Sequence, residues 1–221
     1  MEALKRVAAD FVEERPNDRI GLVLYASEAY TKTPVTSDKA IILEAIKGIR
    51  YDTVLQDGTG IGMGLATAVN RLKDSKAKSR VIILLTDGVN NAGFIEPETA
   101  ADIAKQYGIK VYTIGLGTNG MASSPYAYAP NGGFLFKMQK VEIDERLMKS
   151  IARKTDGTYF RATSNDRLAE IYNAINKLET TEIQELKFYD YDEKYRGFVL
   201  FAAFLLLLEI GLRNTVYRSF I

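Results

Sequence analysis

Arg80-Val-Ile-Ile-Leu-Leu-Thr86, followed at once by Asp87-Gly88, is the stretch on which the fold turns. An unbroken run of β-branched and aliphatic residues that stops at a turn signal fits a strand covered on both faces, as strands of parallel sheets are. Such a strand delivers its last residues to the C-terminal rim of the sheet, where open α/β folds bind ligands. Asp87 is therefore a carboxylate at a ligand-binding edge. On that residue alone, capping of the following turn explains it equally well.

Working upstream, Asp57-Gly58-Thr59-Gly60-Ile61-Gly62 is a glycine-rich turn that holds a hydroxyl just ahead of a helix. A carboxylate and a hydroxyl on neighbouring rim loops suit a hard cation such as Mg2+, which takes oxygen ligands. Thr59 by itself reads as an ordinary helix-start threonine, and Asp57 as a turn residue. The alternating Gly58, Gly60, Gly62 and Gly64 match neither the dinucleotide fingerprint nor the phosphate-loop lysine motif, which argues against nucleotide binding.

Further outward the pattern alternates. A helix from Leu4 to Val12 ends at Pro16-Asn17, and strands follow at Ile20–Tyr25 and Ala29–Val35. Asp38 caps a helix whose expected buried face is Ile41, Ile42, Ala45, Ile46 and Ile49. Beyond the glycine turn come a helix to about Lys73 with Leu65, Ala66, Val69 and Leu72 inward, then the Val81–Leu85 strand. A helix through Ala100, Ile103, Ala104 and Tyr107 precedes a strand at Lys110–Ile114. Gly115 to Gly133 is rich in Gly, Ser, Pro and Ala and reads as a surface excursion carrying Tyr126 and Tyr128, with an extra hairpin strand at Phe134–Val141. A helix at Asp144–Lys154, a strand at Thr158–Arg161 and a helix capped by Ser164, with Leu168, Ile171, Ile175 and Leu178 inward, complete the series. Strands alternating with helices predict an α/β fold, a doubly wound, mainly parallel sheet.

Composition narrows the chemistry. The 221 residues hold 29 Lys+Arg against 28 Asp+Glu, a net charge of +1, so nothing electrostatic points to nucleic acid. There is neither cysteine nor histidine. Disulfides, thiol nucleophiles, imidazole bases and thiolate or imidazole zinc sites are excluded, and any metal must sit among oxygens.

The tail differs in kind. Phe198 to Leu208 is uninterrupted apolar sequence, and Gly197 to Leu212 contains one charge, Glu209. This is short of the roughly 18 residues usual for a membrane span. A run that is apolar on all sides, flanked by Arg196, Arg213 and Arg218, is nonetheless expected to be a transmembrane helix, a buried helix being the alternative. The expected organisation is a domain over residues 1–180, a juxtamembrane linker over 181–196 that includes the acidic and aromatic Phe188–Glu193, a span over 197–213 and a short tail over 214–221. Cationic residues on both sides of the run leave the side of the membrane open.

Three segments together, Asp57-Gly-Thr59-Gly-Ile-Gly-Met-Gly-Leu65, Leu84-Leu-Thr-Asp87-Gly-Val-Asn90 and Val111-Tyr-Thr-Ile-Gly115, resemble a von Willebrand factor type A domain. With Gly157-Thr-Tyr-Phe160 and the terminal apolar run, the chain is similar to the membrane-anchored type A proteins of bacterial aerotolerance operons, the BatA group. The resemblance implies a Rossmann-like fold and a metal-ion-dependent adhesion site, where Mg2+ is held by an Asp-x-Ser-x-Ser loop, a threonine and an aspartate. Thr59 matches the threonine and Asp87 the aspartate. The Asp-x-Ser-x-Ser loop has no counterpart here, and in the family it follows a central first strand that precedes the opening helix. Met1 reads as an internal methionine, so the expectation is an N-terminally truncated domain without that strand, binding Mg2+ weakly or not at all. The resemblance further implies a non-enzymatic interaction module in a bacterial inner membrane. Its implied partners are proteins, among them a MoxR-type AAA+ ATPase and other Bat-type membrane proteins, in envelope or stress tolerance. Two other classes stay open from the residues alone: a metal-dependent phosphate-handling or hydrolytic α/β enzyme using Asp87, and a scaffold with a vestigial site.

Overall fold

In the computed structural model the described residues are 2–50, 58–117, 120–128, 134–141, 143–179 and 195–215. The chain divides into two compact units, Met1–Thr181 and Glu182–Ile221. Asp57, most of the expected linker and the last tail residues lie outside the described residues.

The first unit runs α1 (Glu2–Glu13), β1 (Ile20–Tyr25), β2 (Ala29–Thr36), α2 (Lys39–Lys47), α3 (Ile61–Leu72), β3 (Val81–Thr86), α4 (Pro97–Gln106), β4 (Lys110–Leu116), β5 (Gly120–Tyr128), β6 (Phe134–Val141), α5 (Glu145–Lys154), β7 (Tyr159–Ala162) and α6 (Asn165–Glu179). Strands β3, β4 and β7 form a parallel sheet with β4 in the middle, Val81 level with Lys110 and Thr113 level with Tyr159. Strands β1 and β2 pair antiparallel, as do β5 and β6. Among the described residues β1 and β3 do not pair with each other, so a seam without ladder hydrogen bonds separates the β1–β2 ribbon from the three-stranded sheet, with α3 touching both. One link across it is the Tyr25 hydroxyl, which donates to the Leu85 carbonyl at 2.6 Å.

The alternation along β3 and β4 explains the layering. Ile82, Leu84 and Val111 point to one face, where Leu65 and Val69 of α3, the alanines Ala100, Ala101 and Ala104 of α4, and Met148 and Ile151 of α5 cover them. Tyr112 and Ile114 point to the other, under Val7 of α1 and Leu168, Ile171 and Ile175 of α6. Helices on both faces satisfy the requirement of a parallel sheet. Val12 of α1 with Ile42 and Ile46 of α2 forms a smaller third cluster beside β1. Asp38 caps α2 as expected, accepting from the amides of Ala40 and Ile41, and Ser164 accepts from Arg167 at the start of α6.

Four expectations are corrected. Ile41, Ile103, Tyr107 and Leu178 are exposed rather than inward, because a helix lying on a sheet buries a narrow stripe and these stand at its border. Helix α2 ends at Lys47, before Ile49. The excursion at Gly115–Gly133 contains a strand, β5, since ladder hydrogen bonds to β6 outweigh a Gly-, Ser- and Pro-rich composition. The second unit contains α7 (Tyr195–Thr215), yet among the described residues no helix is long and apolar enough to cross a membrane. Glu209 and Arg213 break the apolar run toward its end, and the expected transmembrane span is not supported.

Candidate functional site

Three loops meet at the C-terminal edge of β3, and small residues are what let them meet. The β1–β2 turn contributes Ala26 and Ser27, the approach to α3 contributes Gly58-Thr59-Gly60, and the segment after β3 contributes Asp87 through Ile95. The Gly60 amide donates to the Ala26 carbonyl at 2.5 Å, and a Cβ on Gly60 would lie 2.9 Å from the carbonyl oxygens of both Ala26 and Ser27. At Gly62 a Cβ would sit 1.9 Å from the Ile95 carbonyl oxygen, so only glycine admits this crossing. Gly58 and Gly93 take φ of 135° and 86°, conformations that side-chain-bearing residues rarely adopt.

Two asparagines brace the loops. Asn91 accepts from the Thr59 amide through Oδ1 at 2.8 Å, and its own amide returns a bond to the Thr59 carbonyl at 3.1 Å. Asn90 Oδ1 accepts from the Ile61 amide at 2.9 Å. These bonds satisfy amide donors at the start of α3, where Gly60 has no side chain to do so. Sequence reasoning passed over Asn90 and Asn91 as bracing groups, although two consecutive amide side chains directly after a rim turn were a visible signal.

The structure brings the two sequence-predicted residues together. A Cβ on Gly88 would lie 3.1 Å from Thr59 Oγ1, which puts that hydroxyl over Gly88, one residue from Asp87. Asp87 is exposed, and no side chain among the described residues pairs with its carboxylate. Thr86 turns back beneath the rim, its Oγ1 3.3 Å from both the amide and the carbonyl oxygen of Gly88. Under it the Tyr25 phenol is pushed well above its ordinary pKa, first by burial and further by the charge of Asp87. Val89 and Phe94, the latter 85% exposed, stand on the same loop as Asp87. Among the described residues no group of three or more His, Cys, Asp or Glu side chains could hold a metal. Tyr126 and Tyr128 lie on β5, away from these three loops in sequence.

Comparison with known proteins agrees with this geometry. Residues 1–174 match the model of the von Willebrand factor type A domain. An uncharacterized protein of Borreliella burgdorferi is 29% identical over 208 residues, covering 94% of this chain and 60% of that protein. The chain thus spans less than two thirds of that relative's length. Among solved structures, BatB from Bacteroides thetaiotaomicron superposes with a TM-score of 0.66 at 27% identity, covering 81% of this chain and 88% of that one. An aerotolerance-related membrane protein of Bacteroides fragilis gives 0.65 at 26%, covering 80% and 88%. A proximal thread matrix protein of the mussel byssus, solved with zinc in its metal-ion-dependent adhesion site, gives 0.59 at 25%, covering 80% of this chain and 40% of that one. With a glycine-braced rim at the end of a buried parallel strand and a family match over most of its length, this chain belongs to the von Willebrand factor type A family.

Proposed function

We propose that the chain is a non-enzymatic interaction module that docks protein partners on the rim around Thr59 and Asp87. The observation that carries the reading is the Thr59 hydroxyl lying over Gly88, beside an exposed Asp87 carboxylate that pairs with no side chain among the described residues, on a braced loop. Val89 and Phe94 add apolar contact area to the same loop, and rigid exposed aromatics are frequent anchors of protein interfaces.

A hydroxyl and a carboxylate fit the oxygen preference of Mg2+, and the zinc-bearing mussel protein supports a metal role for this rim. Thr59 and Asp87 are the residues that would hold the ion, which would supply positive charge and open coordination positions to an acidic group of the partner. Asn90, Asn91 and the glycines hold Thr59 at the rim in advance, which lowers the ordering cost of docking. Two protein oxygens are few for an ion that prefers six ligands, and no Asp-x-Ser-x-Ser occurs in the chain, so the expected affinity of this chain for Mg2+ alone is weak. Calorimetric titration giving micromolar affinity would contradict that expectation. The decisive test is a pulldown from membranes with and without EDTA, using the natural chain and Asp87→Ala. Loss of the partner in both arms supports metal-bridged docking, and unchanged recovery in both refutes it.

The likeness to BatB supports sibling Bat-type proteins as partners, with a MoxR-type AAA+ ATPase as the proposed energy-using member of the assembly. The likeness to an aerotolerance-related membrane protein supports attachment to a bacterial inner membrane. Helix α7 is the attaching element: Leu200, Phe201, Phe204, Leu207 and Ile210 are all exposed on it. Residues 197–212 would rise about 24 Å as a helix, against about 30 Å of hydrocarbon, so the reading is of attachment and leaves a full span out.

A further inference from the structure

We propose that the edge of the sheet opposite the rim, where β3, β4 and β7 begin, docks on an anionic lipid surface and so turns Thr59 and Asp87 away from the membrane. The loop from α3 into β3 carries Lys73, Lys76, Lys78 and Arg80 against Asp74. The last turn of α4 adds Lys105, that of α5 adds Arg153 and that of α6 adds Lys177. None of these cations forms an ion pair with a described residue, whereas Lys110 and Lys154 beside them are engaged, the first by Glu179 and the second by Glu98 and Asp102. The loops make one surface. Ser79 Oγ and Lys110 Nζ both donate to the Glu179 carboxylate at the end of α6, at 3.0 and 2.6 Å. A Cβ on Gly108 would lie 3.4 Å from an Arg80 guanidinium nitrogen, and Lys105, Gly108 and Asp156 border one hollow.

Helix C-termini attract cations, which accounts for Lys105, Arg153 and Lys177. It does not account for Lys76, Lys78 and Arg80, which follow α3 on non-helical chain, the two lysines exposed. Asp74 and Asp156 are the carboxylates left to oppose this charge along the edge. The strip ends at the α1–β1 turn, where Glu13, Glu14 and Asp18 outweigh Arg15 and Arg19. Two observations favour lipid over an acidic protein as what covers it. Tyr107 and Leu178, 41% and 59% exposed, stand among the lysines, and an aromatic ring and an aliphatic chain edged by lysine suit the headgroup region of an anionic bilayer. The chain also leaves the first unit on this edge, just past α6, and the next helix in the sequence is α7. The proposal rests on the membrane attachment proposed above. Strand β3, six residues long, spans about 20 Å, so an edge seated on headgroups holds Asp87 clear of them and open to a partner.

The test uses the full chain, whose lack of cysteine permits single labels without background. Ala77→Cys on the cationic edge, Phe94→Cys on the rim and Leu205→Cys on α7 each carry an environment-sensitive fluorophore, with vesicles of phosphatidylcholine alone or mixed with phosphatidylglycerol. The expected result is a blue shift and shielding from an aqueous quencher at position 77 on the anionic vesicles, with position 94 still accessible. Lys76→Gln with Lys78→Gln should lower the ratio of shielded to accessible 77 by about thirtyfold, and arginine at both positions should preserve it. Equal shielding of 77 on phosphatidylcholine alone, or shielding of 94 on the anionic vesicles, overturns the proposal. If 205 is shielded while 77 stays accessible, the edge proposal falls and attachment through α7 stands. If 77 is shielded and 205 is not, the edge proposal stands and α7 is not the attaching element. Accessibility at both positions overturns both readings. Shielding of 77 by polyglutamate and not by anionic vesicles assigns the edge to an acidic protein, and shielding that rises with protein concentration alone assigns it to a second copy. Either result overturns the lipid reading.

Discussion

Gly62 carries no chemistry, yet the rim depends on it. With the Ile95 carbonyl oxygen 1.9 Å from where a Cβ would stand, Gly62→Ala must push α3 away from the loop that presents Asp87. A loss of about 1–3 kcal/mol in urea unfolding is expected, together with weaker partner recovery. Glu179 is a second informative residue. Burial alone would raise its pKa, but Lys110 at 2.6 Å, the Tyr112 hydroxyl at 2.5 Å and Ser79 at 3.0 Å hold it below the usual carboxylate value. The ionised form is thus favoured by folding, so the contribution is complete above the ordinary glutamate pKa and vanishes as pH falls through the lowered one. Glu179→Gln should cost about 1–2 kcal/mol at neutral pH, the solvent beside Lys110 keeping it small, and progressively less in acid. Equal loss across the range in pH-dependent denaturation would contradict this. The sequence displayed Asp87 and Thr59 because each closes a recognisable local pattern. It did not display the Asn91–Thr59 bond, which joins residues 32 positions apart and arises only when the loops have folded together.

Among the elements, β3 and β4 were legible because burial on both faces forces continuous hydrophobicity, whereas β5 was hidden because its pairing with β6 needs no special composition. The inward faces of α2, α4 and α6 were drawn too wide, since apolar periodicity marks the side of a helix and says little about where its buried stripe stops. Helix α4 approaches its neighbours through alanine: Ala100, Ala101 and Ala104 are fully buried against α3 and the sheet. Space there is set by methyl groups, so Ala104→Leu is expected to destabilise by about 1–3 kcal/mol in thermal or urea unfolding. Ile103→Ala on the neighbouring exposed position should change little. A reversed order of the two variants would mean that α4 docks by another face.

For the molecule as a whole, the expectation of a parallel sheet with a central strand missing meets three paired parallel strands and a ribbon beside them. Among the described residues β1 and β3 belong to separate sheets, a relation that local propensity does not reveal because no segment of this chain announces what lies beside its own edge. Amides of β4, bonded to strands on both sides, should be the slowest to exchange with deuterated solvent, and those of β1 that face away from β2 markedly faster. Equal protection in β1 and β4 would show the seam to be closed in solution.

That seam gives the rim an unexpected mechanical character. Ser27 lies on the turn of the ribbon, Asp87 directly after the last residue of β3, and Thr59 on the approach to the helix that touches both, so the rim is shared by two slabs that no ladder joins among the described residues. Anything gripping all three loops also acts as a clasp on the slabs. Its hold on the surface includes the work of drawing them together, and a docked chain should melt higher than the area of contact alone would suggest.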